Sequence, residues 1–309
     1  MHPILVQFGH FFIGTYGFFV AAGLLIGLFA ASKLAKRHGV DPNLITDIVF
    51  LGVVLGILGA RITYILVNFG DFSSTFSDPN RSPMEYILSR QGFVFGGGII
   101  LAIAGSVLYI RRKKQRLWLV ADVFAPAMPL GHAIGRIGCF FAGCCWGKVC
   151  SLPWAVRYPN TIGPNGEELG FAFQQQVMKG WIPETAHLTK PIHPVQLYES
   201  AALFVLAALL SYAWRKRRFE GQIFLLYLMG YPIIRFLDEF LRGDDDRGFY
   251  GWFSVSQYLS IGAFVIGIVL WVVLRHRKVA INETTFEDAS AQSPATEMAV
   301  SGEKRRRKR

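Results

Sequence analysis

The sequence predicts an all-α integral membrane protein, with seven transmembrane helices and a small head inserted between the fourth and fifth. Three observations lead there. The 309 residues are 52% hydrophobic and only 17% charged, with a mean hydropathy of +0.35; a soluble domain of this size carries more charge. Apolar runs of about twenty residues recur, each long enough to cross a hydrocarbon core of about 30 Å as a helix. Lysines and arginines gather in alternate loops between those runs.

The runs lie at about 11–32, 44–67, 92–110, 118–141, 196–214, 221–241 and 252–274. Backbone polar groups in lipid must be satisfied within the segment, so each run is read as a helix. The first is not a cleaved leader, because no basic residue precedes it and its apolar stretch is too long. Basic groups follow the first, third, fifth and seventh runs: Lys33, Lys36 and Arg37; RRKKQR at 111–116; RKRR at 215–218; then Arg275, Arg277, Lys278 and a terminal KRRRKR. Together these hold 21 of the 32 lysines and arginines. The opposite side holds Arg81, Arg90, Lys148, Arg157, Lys179, Lys190, Arg242 and Arg247. The positive side is the cytoplasmic one, so the N-terminus is expected outside and the C-terminus inside. The net charge of +11 then reports topology, and no nucleic-acid partner is expected.

One transmembrane domain should span 1–278. Its head, about 147–195, includes WAVRYPNTIGPNGEELG, read as a strand followed by a turn-rich loop. Residues 279–309 are polar, aperiodic and end basic, the composition of a disordered cytoplasmic tail.

Three arginines remain, and all lie inside runs: Arg61, Arg136 and Arg235. A charge in a membrane span is costly and marks function by default. The topology puts all three in the outer half of the second, fourth and sixth spans. In IIRFLDEFLR, Arg235, Glu239 and Arg242 stand at i, i+4 and i+7, as on one helical face. Tyr16, the glycines Gly96, Gly97 and Gly98, and HPVQLYE with His193, Gln196, Tyr198 and Glu199 open spans at the same level. Guanidinium groups match phosphate bidentately, and glycines allow close backbone approach to a ligand or helix. These residues together imply a cavity for an anionic lipid headgroup in the outer leaflet.

GARITY, GRIG followed by WGK, HPVQLYE and RFLDEFLR occur in this order. The chain resembles the bacterial prolipoprotein diacylglyceryl transferase family over nearly all its length except the tail. The resemblance implies seven transmembrane helices, a periplasmic head and residence in the inner membrane. It implies transfer of diacylglycerol from phosphatidylglycerol to the lipobox thiol of a preprolipoprotein, forming a thioether and releasing glycerol phosphate, with no cofactor. It implies that Arg136 and Arg235 hold the phosphate or transition state, supported by Tyr16, Arg61, Gly147, Gln196, Tyr198, Glu199, Glu239 and Arg242. The chain departs from the family pattern in two places. Gly96 stands where the family has the histidine of F-H-G-G. GRIGCFFAGC puts Cys139, Ala142 and Cys144 where the family has Asn, Asn and Glu.

His132 precedes Arg136 by four residues and so shares its helical face. With an ordinary pKa near 6.5, it is the expected substitute for the missing histidine. The cysteines are Cys139, Cys144, Cys145 and Cys150. Their spacing lacks the short C-x2-C of structural zinc, so no metal is expected, and a disulfide between Cys150 and Cys144 or Cys145 is an expected possibility. Two other functions fit the same residues: a paralogue that binds lipid or lipoprotein without catalysis, and a different thiol or acyl-transfer enzyme on the same scaffold.

Overall fold

The structure is a computed structural model that describes residues 3–9, 11–76, 82–88, 92–164, 166, 169–244 and 248–275. The expected tail at 279–309 lies outside these residues, as do Arg81, Arg90, Arg247, Arg277 and Lys278. The fold is mainly helical. In chain order its elements are β1 (Ile4–Phe8), β2 (Phe11–Gly14), α1 (Thr15–Arg37), α2 (Pro42–Val67), α3 (Phe69–Ser74), α4 (Pro83–Leu88), α5 (Phe95–Arg112), α6 (Leu117–Ala142), α7 (Phe171–Met178), α8 (Val195–Trp214), α9 (Gln222–Asp238), β3 (Phe249–Tyr250), β4 (Phe253–Ser254) and α10 (Val255–Leu274).

Among the described residues five helices, α1, α2, α6, α8 and α10, are long and apolar enough to cross a membrane. The chain is therefore a multi-pass membrane protein. The two other long helices, α5 and α9, are 18 and 17 residues. Large apolar side chains point outward along these helices: Phe29, Phe50, Ile100, Val205 and Leu259 are all exposed. In water that surface would be an aggregation site; in lipid it needs no cover.

The sequence reading differs from the structure at the N-terminus and in the head. Residues 11–14 are not helical. They pair antiparallel with β1 in a hairpin whose turn carries Gly9 at φ 60°, a left-handed conformation glycine adopts without a Cβ penalty. α1 starts only at Thr15, whose amide donates to the carbonyl of Pro3 at 2.8 Å. Among its described residues the head has no regular strand. Val149 and Val156 bridge Ile192, Pro159 bridges Leu188, and the short α7 was not anticipated.

α6 packs on α1, α8 and α9, while α2 packs on α5 and on α1. Backbones approach closely where glycines face each other. A Cβ on Gly23 would stand 2.5 Å from the carbonyl oxygen of Gly131, and one on Gly131 would stand 2.7 Å from that of Gly23. Across α2 and α5, a Cβ on Gly59 would stand 2.6 Å from the oxygen of Gly97, and one on Gly98 2.6 Å from that of Gly56. Small residues give membrane helices their packing contact, because lipid supplies no hydrophobic drive between them.

Asp122, fully buried in α6, organises the opposite end of the bundle. Its carboxylate accepts from the backbone N–H of Gly221 at 2.8 Å and of Phe224 at 2.9 Å, and Arg217 Nη1 stands 3.4 Å away. It thus caps the start of α9, whose own N-cap is a glycine with no side chain to do so.

Gly59→Ala should lower the melting temperature in detergent, since pressing a methyl onto a backbone carbonyl costs about 1–3 kcal/mol. Gly52→Ala, where a Cβ meets nothing within 4 Å, should not. Equal melting of the two variants would contradict the packing account.

Candidate functional site

Three chain segments meet where α6 ends, α8 begins and α9 ends. The N–H of Lys148 donates to the carbonyl of Leu241 at 2.7 Å, that of Gly243 to Trp146 at 2.9 Å, and that of His193 to Lys148 at 3.0 Å. The crossing excludes side chains. A Cβ on Gly147 would lie 2.5 Å from the oxygen of His193, and one on Gly243 2.8 Å from that of Gly147. Trp146 is buried beneath it and donates from Nε1 to Gln175 at 2.6 Å. This node gathers the ends of three helices, and the charged residues stand beside it.

Arg136 of α6 and Glu199 of α8 form a buried pair, Nη2 to Oε2 2.6 Å, with side chains 11% and 1% exposed. His132 comes up one turn below Arg136, its Nε2 3.8 Å from the other carboxylate oxygen, Oε1. Its ring lies 5.4 Å from that of Tyr231 on α9. The Nε of Arg136 is buried and has no hydrogen-bond partner among the described residues. The expected helical face of His132 and Arg136 is therefore real, and both meet the same carboxylate.

Arg235 of α9 pairs with Glu239 at 2.7 Å and Asp238 at 3.3 Å, and donates to Ser256 Oγ at 3.1 Å. The sequence reading put Arg242 on that same face. It does not belong there, because α9 stops at Asp238 and the chain is drawn out into the node, where Gly147 bridges Arg242. Arg242 instead donates in a fork to both oxygens of Asp244, at 3.0 and 2.5 Å.

The other expected residues divide by what they touch. Gln196 donates to the carbonyl of Cys144 at 2.7 Å and to Tyr158 Oη at 3.4 Å. Burial pushes the Tyr158 phenol above its ordinary value, with Gln196 acting the other way, so it works as a neutral hydroxyl. Tyr198 accepts from Trp154 Nε1 at 2.7 Å. His193 lies with its ring 6.2 Å from that of Tyr198, and its buried Nδ1 has no hydrogen-bond partner among the described residues. Tyr16 is exposed, and its backbone packs on Gly138. Arg61 sits apart on α2. It donates to the carbonyls of Tyr86, Ile87 (3.0 Å) and Gly92 (2.8 Å), with its guanidinium over the rings of Tyr64, Tyr86 and Phe93. Gly97 and Gly98 face α2, whereas Gly96 has open space around it.

The cysteines are all free thiols, so the expected disulfide is absent. The sequence reading also set them aside as a metal site on spacing. Folded, Cys139, Cys144 and Cys145 place their sulfurs within 4.8 Å of one another. Linear spacing missed this because two left-handed residues, Gly143 at φ 73° and Cys145 at φ 56°, turn the chain back over the end of α6.

Asp238, Asp244 and Tyr231 were not singled out from sequence. Asp238 and Asp244 could have been found by asking which acid lies within four positions of each arginine. Tyr231 leaves no such mark. The site thus brings together guanidiniums backed by carboxylates, groups that bind anions, and an imidazole beside Glu199, a group that passes protons.

A model of the prolipoprotein diacylglyceryl transferase family matches residues 3–273. Curated relatives include the phosphatidylglycerol–prolipoprotein diacylglyceryl transferase of Clostridium tetani, 32% identical over 90% of this chain and 100% of its own length. That of Photobacterium profundum is 32% identical over 90% and 96%, and that of Finegoldia magna 30% over 87% and 94%.

Glu199→Leu should cost about 3–5 kcal/mol of stability by leaving the Arg136 charge buried and alone. The double variant Arg136→Met with Glu199→Leu should recover most of it, because an apolar pair replaces an ionic one at little net cost. Thermal melting of the four members of the cycle measures the coupling; additive effects would remove the pair as a structural tie.

Proposed function

This chain belongs to the prolipoprotein diacylglyceryl transferase family, and from that premise we propose that it moves the diacylglyceryl group of phosphatidylglycerol to the lipobox cysteine of a preprolipoprotein. It is a membrane transferase of lipoprotein biosynthesis. The substrate thiol loses its proton and its sulfur attacks the glyceryl carbon that carries the phosphate. A C–S bond forms, the C–O bond breaks, and the electron pair leaves on the oxygen of glycerol phosphate. The thiolate is the effective nucleophile, so a base and an electrostatic trap for the leaving phosphate are both required.

One observation carries the reading: the buried Arg136 pairs with Glu199 through Nη2, while its Nε has no partner among the described residues. A phosphate oxygen would complete that donor set, and Arg235 would bind a second oxygen. His132 would take the thiol proton, with Glu199 stabilising the imidazolium. Tyr16, Arg61, Gly96, Gly97, Gly98, Gly147, His193, Gln196, Tyr198, Glu239 and Arg242 belong to the lipid and peptide cavity or its supports. The domain at 1–278 would cross the bacterial inner membrane seven times, with α5 and α9 as the two further spans, the N-terminus and head in the periplasm and the tail at 279–309 in the cytoplasm.

Binding of lipid or lipoprotein without transfer is the competing reading, and it is favoured by Gly96 standing in the family histidine's place. One assay separates the two: transfer of labelled diacylglycerol from phosphatidylglycerol to a lipobox peptide by purified protein. Arg136→Ala and Arg235→Ala should each slow transfer about 30-fold to several thousand-fold, the equivalent of about 2–5 kcal/mol, while the protein still inserts. Lysine replacements should also be poor, because a point charge does not reproduce the fork. Near-normal rates in either alanine variant would sink the phosphate role. His132→Ala should lower the rate and flatten its rise through neutral pH; an unchanged pH profile would take His132 out of the reaction.

A further inference from the structure

Cys139, Cys144 and Cys145 are not explained by the reading above, in which the nucleophile is the substrate's thiol. Their convergence is built rather than incidental. Cys139 occupies the last turn of α6 and is buried. Gly143 reverses the chain and donates its N–H to the carbonyl of Phe140. Cys145 is a non-glycine residue held at φ 56°, a conformation that costs about 1–3 kcal/mol and persists where the surroundings over-determine it. Those surroundings are in place: Gln196 binds the carbonyl of Cys144 at 2.7 Å, and the next residue, Trp146, is almost fully buried. The strained residue carries one of the three sulfurs to the other two.

We propose that Cys139, Cys144 and Cys145 bind a zinc ion through three thiolates, leaving one coordination position open to an exogenous thiol. The distances suit it. Tetrahedral zinc at about 2.3 Å from each sulfur sets the sulfurs about 3.8 Å apart, and here they lie within 4.8 Å of one another. Side-chain rotation of less than about 1 Å per sulfur closes the site. The donor set is soft, which selects zinc or another thiophilic ion over calcium or magnesium. Charge also suits it, since three thiolates and Zn²⁺ leave only one net negative charge. Three protein ligands with an open fourth position is the pattern of reactive rather than structural zinc.

The open position takes the reading one step further and rests on the transferase assignment. A lipobox thiol that coordinates there displaces the bound water and gives up its S–H proton to the base, His132 in the reading above, becoming a metal-bound thiolate. Arg136, three residues before Cys139 on the same helix, stands on the phosphate side of the same site.

The test uses the full chain purified in detergent under reducing conditions. Zinc content by mass spectrometry should be about one per chain. Cobalt added to chelator-stripped protein should give thiolate-to-cobalt charge-transfer absorption and tetrahedral ligand-field bands. Cys139→Ser, Cys144→Ser and Cys145→Ser should each weaken metal binding at least tenfold, and Cys150→Ser should leave it intact. If a serine variant fails to fold, alkylation of the wild type still decides. Zinc should protect three of four thiols, and chelation should expose all four. No metal at micromolar zinc, a disulfide among the three, or binding that survives all three substitutions would overturn the site. A lipobox peptide should shift the cobalt spectrum and its Cys-to-Ser form should not; a spectrum blind to the thiol would overturn the open position. Failure of the transferase reading itself would appear separately, as absent diacylglyceryl transfer in the presence of an intact cobalt spectrum.

Discussion

A guanidinium buried between helices has to meet a carboxylate, and the centre of this fold is arranged around that meeting of Arg136 and Glu199 at 2.6 Å. In low dielectric an unpaired charge costs several kcal/mol, so α6 and α8 cannot separate or rotate without paying it. The node of Gly147, His193 and Gly243 holds the same helix ends by backbone hydrogen bonds, with Lys179 Nζ donating to the carbonyl of Gly243. Backbone pairing fixes position, and the ion pair fixes rotation. Arg235 on α9, held by Asp238, Glu239 and Ser256, joins the arrangement through the packing of α9 on both other helices.

Each central arginine therefore stands beside an acid before any lipid arrives. On the proposed reading, a phosphate joins a guanidinium that already has a carboxylate partner instead of filling a bare positive pocket. The carboxylate tempers the affinity, since part of the guanidinium charge is already met by the protein, and so favours release of the phosphate product.

Much of this was legible in the sequence. The long helices follow from runs of apolar residues, because lipid imposes length and helicity together. Arg61, Arg136 and Arg235 stood out because a charge in such a run is conspicuous, and the four-residue spacing of His132 and Arg136 translated directly into a shared carboxylate. What failed to show depends on contacts far apart in the chain or on local backbone chirality. Residues 11–14 are as apolar as a helix, yet they pair with 4–8 around Gly9. Arg242 has helical spacing from Arg235, yet the node pulls it away. Arg61 stood out by its charge, yet its donors close on the carbonyls of Tyr86, Ile87 and Gly92, a contact no pattern announces. The cysteines meet because Cys145 adopts a conformation that sequence statistics give to glycine and asparagine.

Asp122 has a bearing on how the protein is made. Its carboxylate enters the membrane on α6, about a hundred residues before the amides of Gly221 and Phe224 that it will accept from have been synthesised. In the proposed seven-span topology, an α9 inserted the wrong way up would carry those amides across the bilayer from it. The single acid would then make an inverted sixth long helix energetically distinguishable from a correct one, and act as a checkpoint on insertion.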